Sequence, residues 1–165
     1  MNYQNGAKFE IWLELLLKRL NYQNVMRNVE YRKKNNSKRE VDVCYNITKN
    51  EKIYLALVEA KYTKQETFYW KKKRRKKSQV ISIDNLIDEV LERHLFIGAD
   101  FSLIATNSRM SDNLKNKIKN KPIKILDGTN LLNMYRAIGG KFSLENSIKN
   151  IQLDNYKRKR NIIYI

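Results

Sequence analysis

The chain has 165 residues, 42% of them hydrophobic and 31% charged, with a formal net charge of +17. That length holds one well-buried core and is too short for two ordinary domains, and the hydrophobic fraction excludes wholesale disorder. Cys44 and His94 are the only residues of their kinds, which excludes a disulfide framework and a CxxC zinc pair.

Chemistry in such a chain has to run on carboxylates, lysines and a hard metal ion. The positive excess favours a polyanionic partner, because each neutralised phosphate releases condensed counterions. Nucleic acid is the expected partner; a surface made lysine-rich by genome composition is the alternative. No apolar run is long enough to cross a bilayer and the N-terminus lacks a signal-peptide core. The expectation is therefore a cytoplasmic protein with no membrane partner.

In chain order, Asn5 or Gly6 opens a helix that continues to about Asn21, with Phe9, Trp12, Leu13, Leu16, Leu17 and Leu20 at helical spacing. Glu10 sits at the edge of that apolar face. It reads equally as a first-turn residue suiting the helix dipole and as an acid turned towards the interior. Asn21–Asn24 is a turn, and Val25–Tyr31 is a first strand. A basic loop follows with Arg32, Lys33, Lys34, Lys38 and Arg39; it is either a solvated hairpin connection or a backbone-phosphate contact.

Val41–Ile47 and Ile53–Lys61 read as two strands joined by the turn formers Thr48–Lys52. A hairpin symmetric about Asn50 and Glu51 opposes residues whose numbers sum to 101. Asp42 then faces Glu59 and Glu40 faces Lys61, with Cβ atoms about 5 Å apart. Lys61, two residues past Glu59, points to the same side. Two carboxylates on adjacent strands suit Mg²⁺ or Mn²⁺, and a lysine beside them can orient a water or offset charge on a transition state. The Glu40–Lys61 pair reads as well as a plain cross-strand ion pair. The pattern also assigns Val41, Val43, Ala56, Val58 and Ala60 to one face, and Cys44, Ile53, Leu55 and Leu57 to the other. Apolar residues on both faces require cover on both, hence a layered α/β fold.

Phe68, Tyr69 and Trp70 precede an unbroken basic run of Lys71, Lys72, Lys73, Arg74, Arg75, Lys76 and Lys77. It reads as a localisation-like signal, a solvated surface, or an arm tracking a nucleic-acid strand. Ile81–Phe96 is a second helix with Ser82 as N-cap and Ile83, Leu86, Ile87, Val90, Leu91 and Leu95 on its apolar face; His94 near its end suits the dipole, and Gly98 closes it. Then come a strand (Phe101–Thr106), a helix capped by Ser108 or Ser111, a strand (Ile123–Leu126), and a last helix (Asn130–Ile138) ended by Gly139 and Gly140. Strands separated by helices imply parallel additions, so the sheet is expected to be mixed. The domain is expected over 1–138. Residues 139–165 form a basic tail with a cluster at Lys157–Arg160, and Ile162–Ile165 are an edge strand or a dimer contact.

The arrangement Gly6-x-x-Phe9-Glu10-x-Trp12, then Asp42, then Glu59-Ala60-Lys61 resembles the PD-(D/E)xK nuclease superfamily. The stretches Gly98–Thr106 and Ile123–Leu132 are similar to the second half of Mrr-type restriction endonuclease domains. The resemblance covers about residues 5 to 138. It implies a restriction-endonuclease-like three-layer fold and a divalent-metal phosphodiesterase acting on DNA. In it Asp42 and Glu59 are metal ligands, Lys61 is the water-positioning lysine, and Glu10 is a helix-borne accessory acid. Val41 replaces the proline that often precedes the first acid, and Glu59 stands where Mrr-type domains often carry glutamine. That glutamate is shared with archaeal Holliday junction resolvases, which act as dimers, so a homodimer and duplex or branched DNA are the implied partners. A nucleic-acid-binding module that keeps the fold without cleaving is the alternative from another class. A third reading makes the basic runs assembly or localisation segments.

Overall fold

The computed structural model describes residues 2–64, 67–68, 83–156 and 159–165. The run Lys71–Lys77 and the N-cap expected at Ser82 lie outside the described residues.

Helix α1 (Asn2–Arg19) leads into strands β1 (Gln23–Arg32), β2 (Lys38–Lys49) and β3 (Lys52–Lys61). A short strand β4 (Thr67–Phe68) precedes α2 (Ile83–Ile97), β5 (Phe101–Thr106), β6 (Arg109–Met110), α3 (Asp112–Lys117), β7 (Ile123–Leu126) and α4 (Gly128–Ala137). Beyond the helix expected to be last lie α5 (Leu144–Lys149), a 3-10 turn (Leu153–Asn155) and β8 (Asn161–Tyr164). Six strands form one mixed sheet in the order β7-β5-β3-β2-β1-β8, and β4 pairs with β6 separately. The β1–β2 and β2–β3 pairs are antiparallel, whereas β5, β7 and β8 are added in parallel.

Apolar spacing explains the three layers. Phe9, Trp12, Leu13, Leu16 and Leu17 of α1 pack with Val43, Tyr45, Ala56, Val58, Leu103 and Ala105 of the sheet, joined by Leu131 of α4 and Ile148 of α5. On the opposite face Leu86, Ile87 and Val90 of α2 meet Ile104, Leu114 and Ile123. Leu95 is 78% exposed and does not belong to that stripe. From Leu86 the buried line runs through Val90 to Ile97 at spacings of four and seven, and Leu95 has rotated off it. His94 is buried, with Nδ1 2.9 Å from Ser102 Oγ on β5, so it joins α2 to the sheet. Gly98, at φ 75, closes α2 as the sequence suggests.

Helix ends follow their capping residues. Ser111, of the two candidate serines, caps α3 by accepting from Leu114 N–H. Asp127 and Asn130 form a reciprocal capping box at α4. A Cβ at Gly128 would lie 2.6 Å from the Asn107 carbonyl oxygen, so α4 can start against the β5–β6 connection only with glycine there.

The segment after Gly140 is built into this body. Asn161 Nδ2 donates to Arg27 O (2.9 Å), and Asn28 Nδ2 donates to Lys159 O (3.2 Å). On β1, beside β8, the side chain of Glu30 is fully covered, held by Arg32, by Lys38 at 3.4 Å and by Arg160 at 3.0 Å. The Arg32 hydrogen bond leads in holding its carboxyl below the usual range, against the opposing effect of burial. Replacing Glu30 with alanine leaves these cations facing one another without a counter-charge. The expected outcome is that amide hydrogen exchange at 161–164 accelerates while β5 stays protected. Unchanged protection of β8 would show that Glu30 does not hold it.

Candidate active site

Pairing of β2 with β3 runs from Lys49–Lys52 to Val43–Val58 in the symmetric register expected from the sequence. Asn50 (φ 50) and Glu51 (φ 63) both adopt the left-handed conformation that a two-residue hairpin turn of this hand requires. Past Val43 the strands separate. β2 stays with β1 as far as Arg32–Lys38, and β3 stays with β5 as far as Lys61–Thr106. The sheet thus forks where Asp42 and Glu59 stand, and these two residues begin the fork instead of forming another rung.

Two expectations change with the fork. Val41 packs with Val29, Tyr31, Cys44 and Leu57, on the other face from Val43. The alternation breaks at Asp42, opposite Asn28, whose φ is 56. Glu40 does not face Lys61: it lies across β1 from Glu30 and pairs with Arg160 at 3.2 Å.

Asp42 Oδ2 accepts a hydrogen bond from Ala60 N–H at 2.8 Å, replacing the carbonyl that a continued ladder would supply. Lys61 Nζ lies 3.0 Å from Glu59 Oε1, as expected for residues two apart on one strand. Arg93 of α2 holds the other carboxylate oxygen, Oε2. Burial raises the Asp42 carboxyl to about 7, reinforced by the charges of Glu59 and Glu10 and opposed by Ala60 N–H and Lys61. Burial pushes Glu59 up as well, but Lys61 and Arg93 outweigh it and hold Glu59 below the usual carboxylate range. Glu59 is therefore the ionised partner, and Asp42 is the acid that keeps its proton up to about neutral pH.

Glu10, Arg27, Glu40, Asp42, Tyr156 and Arg160 line a cleft of about 460 Å³. Glu10 enters it from the half-buried edge of α1. Among the described residues no three Asp, Glu, His or Cys side chains converge as a ready-made metal cage. The donor set still fits a hard divalent cation. Asp42, raised chiefly by desolvation and further by the charges of Glu59 and Glu10, is an acid that a cation would stabilise, and Mg²⁺ characteristically takes one or two carboxylates and completes its shell with water and phosphate oxygens.

The basic hairpin loop is largely committed within the protein. Arg32 and Lys38 bind Glu30. Arg39 donates to Glu92 Oε2 at 2.7 Å and stacks with Lys33 over Phe96, at 4.5 and 4.2 Å from the ring centre. Lys34 is exposed. The cations lining the cleft are Arg27, which also binds Glu14 at 3.2 Å, and Arg160, which binds Glu30 and Glu40, so these too are paired within the protein. Arg160 belongs to a basic cluster visible in the sequence; Arg93 and Arg27 are additions from the structure.

No curated protein sequence matches the chain. Among solved structures, AF1548, described as a protein of unknown function, superposes with a TM-score of 0.58 at 15% identity, over 80% of this chain and 67% of its own. Can2 from Sulfobacillus thermosulfidooxidans, in complex with cyclic tetra-adenylate, has a TM-score of 0.53 at 17% identity, covering 81% of this chain and 35% of its own. The MspJI restriction endonuclease, in complex with a 27-mer oligonucleotide, has a TM-score of 0.53 at 13% identity, covering 94% and 34%. The chain thus spans about two thirds of the first and about a third of the other two, and these likenesses give the fold: restriction-endonuclease-like, with a mixed sheet between helical layers. Among the described residues no helix is long and apolar enough to cross a membrane. Residues 2–135, most of the length, match the Mrr catalytic family of restriction endonucleases, and the chain belongs to that family.

Proposed function

We propose that this chain is a divalent-metal-dependent endodeoxyribonuclease, structure-selective or nonspecific, that acts on duplex or branched DNA as a homodimer. Asp42, Glu59 and Glu10 are the ligands of Mg²⁺ or Mn²⁺, and Lys61 stands beside the attacking water. The observation that carries the reading is the placement of the half-buried Asp42 at a sheet fork beside Glu59, itself held by Lys61, with the Asp42 carboxyl raised to about 7. A bound divalent cation would supply neutralisation of that carboxylate group and polarisation of the phosphodiester. In the hydrolysis a water oxygen forms a new bond to phosphorus and gives up a proton, one ester P–O bond breaks, and the leaving oxygen takes a proton from solvent. Lys61, fixed by Glu59, orients the water or offsets the charge that grows on the phosphoryl oxygens. Arg27 and Arg160 at the cleft, together with Lys34 and the run Lys71–Lys77, supply positive charge for the DNA backbone.

Cleavage of supercoiled plasmid with Mg²⁺ or Mn²⁺ tests the site. Wild type is expected to cut, and Asp42→Ala and Lys61→Ala are each expected to lose about 10²-fold or more of the rate. Wild-type activity in both variants would sink the assignment. One observation favours a second reading, a binding module that does not cut: Glu59 already has both oxygens engaged by Lys61 and Arg93. Tight, salt-sensitive binding without product on duplex, junction, flap, single-stranded and RNA substrates would establish that reading instead.

A further inference from the structure

Glu59 is gripped from two elements. Lys61 reaches it along its own strand, and Arg93 reaches it from α2, 34 positions away in the chain. The Arg93 side chain is four-fifths covered, at 20% exposure. Its neighbour Glu92 binds Arg39 of β2, so consecutive residues of one helix hold both arms of the fork. That double hold sets α2 against the fork, with the Arg93 guanidinium reaching Glu59 from the helix. An ionised carboxylate offers about four lone-pair positions, and here a lysine and an arginine already occupy both oxygens. A divalent cation arriving at Glu59 meets a positive charge already in its place.

Resting on the metal site proposed above, we infer that Arg93 is a resident counter-ion that competes with the divalent cation for Glu59 and passes to a DNA phosphate when the cation enters. Arginine suits both stations, since its planar fork matches carboxylate and phosphate oxygens alike. Lys61 is tied to Glu59 by their shared strand, whereas Arg93 sits at the end of a long side chain and can swing. Without DNA the displaced guanidinium would remain beside the cation, which repels it. With DNA it gains a phosphate, so cation and DNA each tighten the other's binding, by the same factor in both directions. Arg93 is thus a positioning residue that makes the cleft take its two ligands together.

Calorimetric titration of Ca²⁺, an oxygen-seeking cation, into the full chain reads this without cleavage. Proteins are compared with and without a saturating short DNA duplex. Without DNA, Arg93→Gln is expected to bind Ca²⁺ roughly tenfold tighter than wild type, the scale of one charge-assisted hydrogen bond removed from competition. Arg93→Lys, which keeps the charge, is expected to stay near wild type. Adding DNA should tighten Ca²⁺ binding in wild type and clearly less in Arg93→Gln. Equal or weaker Ca²⁺ binding by Arg93→Gln without DNA overturns the inference, provided that Asp42→Ala does lose binding. If Asp42→Ala binds as well as wild type, the metal reading of the site fails, and the inference with it.

Discussion

Asp42→Asn is expected to leave a protein that cuts no DNA yet resists urea better than wild type at pH 8. The amide is nearly isosteric with the carboxylate and its oxygen can still accept from Ala60 N–H, now 2.8 Å from Asp42 Oδ2. What disappears is a half-buried, poorly solvated negative charge near Glu59 and Glu10. That charge opposes folding, since burial and those two acids raise the folded-state value to about 7 from an ordinary 3.8. Between those values the folded protein holds a proton that the unfolded chain has released. Wild-type stability is therefore greatest below the lower value and falls as pH rises through the upper one. The full shift corresponds to at most about 4 kcal/mol. Glu59 works in the opposite sense, because its lowered value adds stability above the ordinary carboxylate range and loses it on acidification.

Urea unfolding at pH 5 and pH 8, without divalent ions, checks this. The advantage of Asp42→Asn should be about 2 to 3 kcal/mol larger at pH 8, where wild-type Asp42 is ionised in the folded state, than at pH 5. Mg²⁺ should narrow the gap at pH 8, because a ligand that binds only the folded wild type stabilises it. An advantage independent of pH, or none, would mean that Asp42 does not carry the strain assigned to it. Stability gained where activity is lost is the pattern expected of a residue kept for chemistry.

The hairpin was legible because its determinants are local. Asn50 and Glu51 accept positive φ, and the alternation from Val43 to Lys49 pairs in only one register with Lys52 to Val58. The same rule failed one residue further on. Where β2 parts from β3 while staying with β1, the contacts are long-range ones: the positive φ of Asn28 across from Asp42, α2 bridging both arms, and Glu30 gathering cations at the β1–β2 end. None of these is encoded near Asp42. Hence Val41 changed faces and Glu40 lost Lys61 for Arg160. Glu10 and Asp42 were brought to one cleft as expected, because a helix with so long an apolar stripe has to lie on the hairpin. Arg93 left a signal of the same kind as Glu10: it falls between Val90 and Ile97 on the stripe that starts at Leu86, a charge where packing calls for an apolar residue. Its partner 34 residues away could not be read without the fold.

Lys61→Met is expected to separate binding from chemistry. Methionine keeps most of the stem, which is 23% exposed, but removes the ammonium that lies 3.0 Å from Glu59 Oε1. Glu59 keeps Arg93, so the fork retains one counter-charge and the fold survives. Removing a cation from beside the acids does not weaken their attraction for a divalent ion, so Ca²⁺ affinity should hold or rise. DNA affinity should fall little, because one ammonium among many basic groups in a chain of net charge +17 carries a small share of the backbone contacts. The rate of bond breaking should nevertheless drop about 10²- to 10⁴-fold, the range for loss of a positioned proton-transfer or charge-stabilising group. Single-turnover cleavage with enzyme in excess isolates that step from binding and product release. A loss in cleavage matched by an equal loss in DNA affinity would reduce Lys61 to a backbone contact. An unchanged single-turnover rate would remove it from the reaction altogether, leaving water orientation to Glu59 or to groups on the DNA itself.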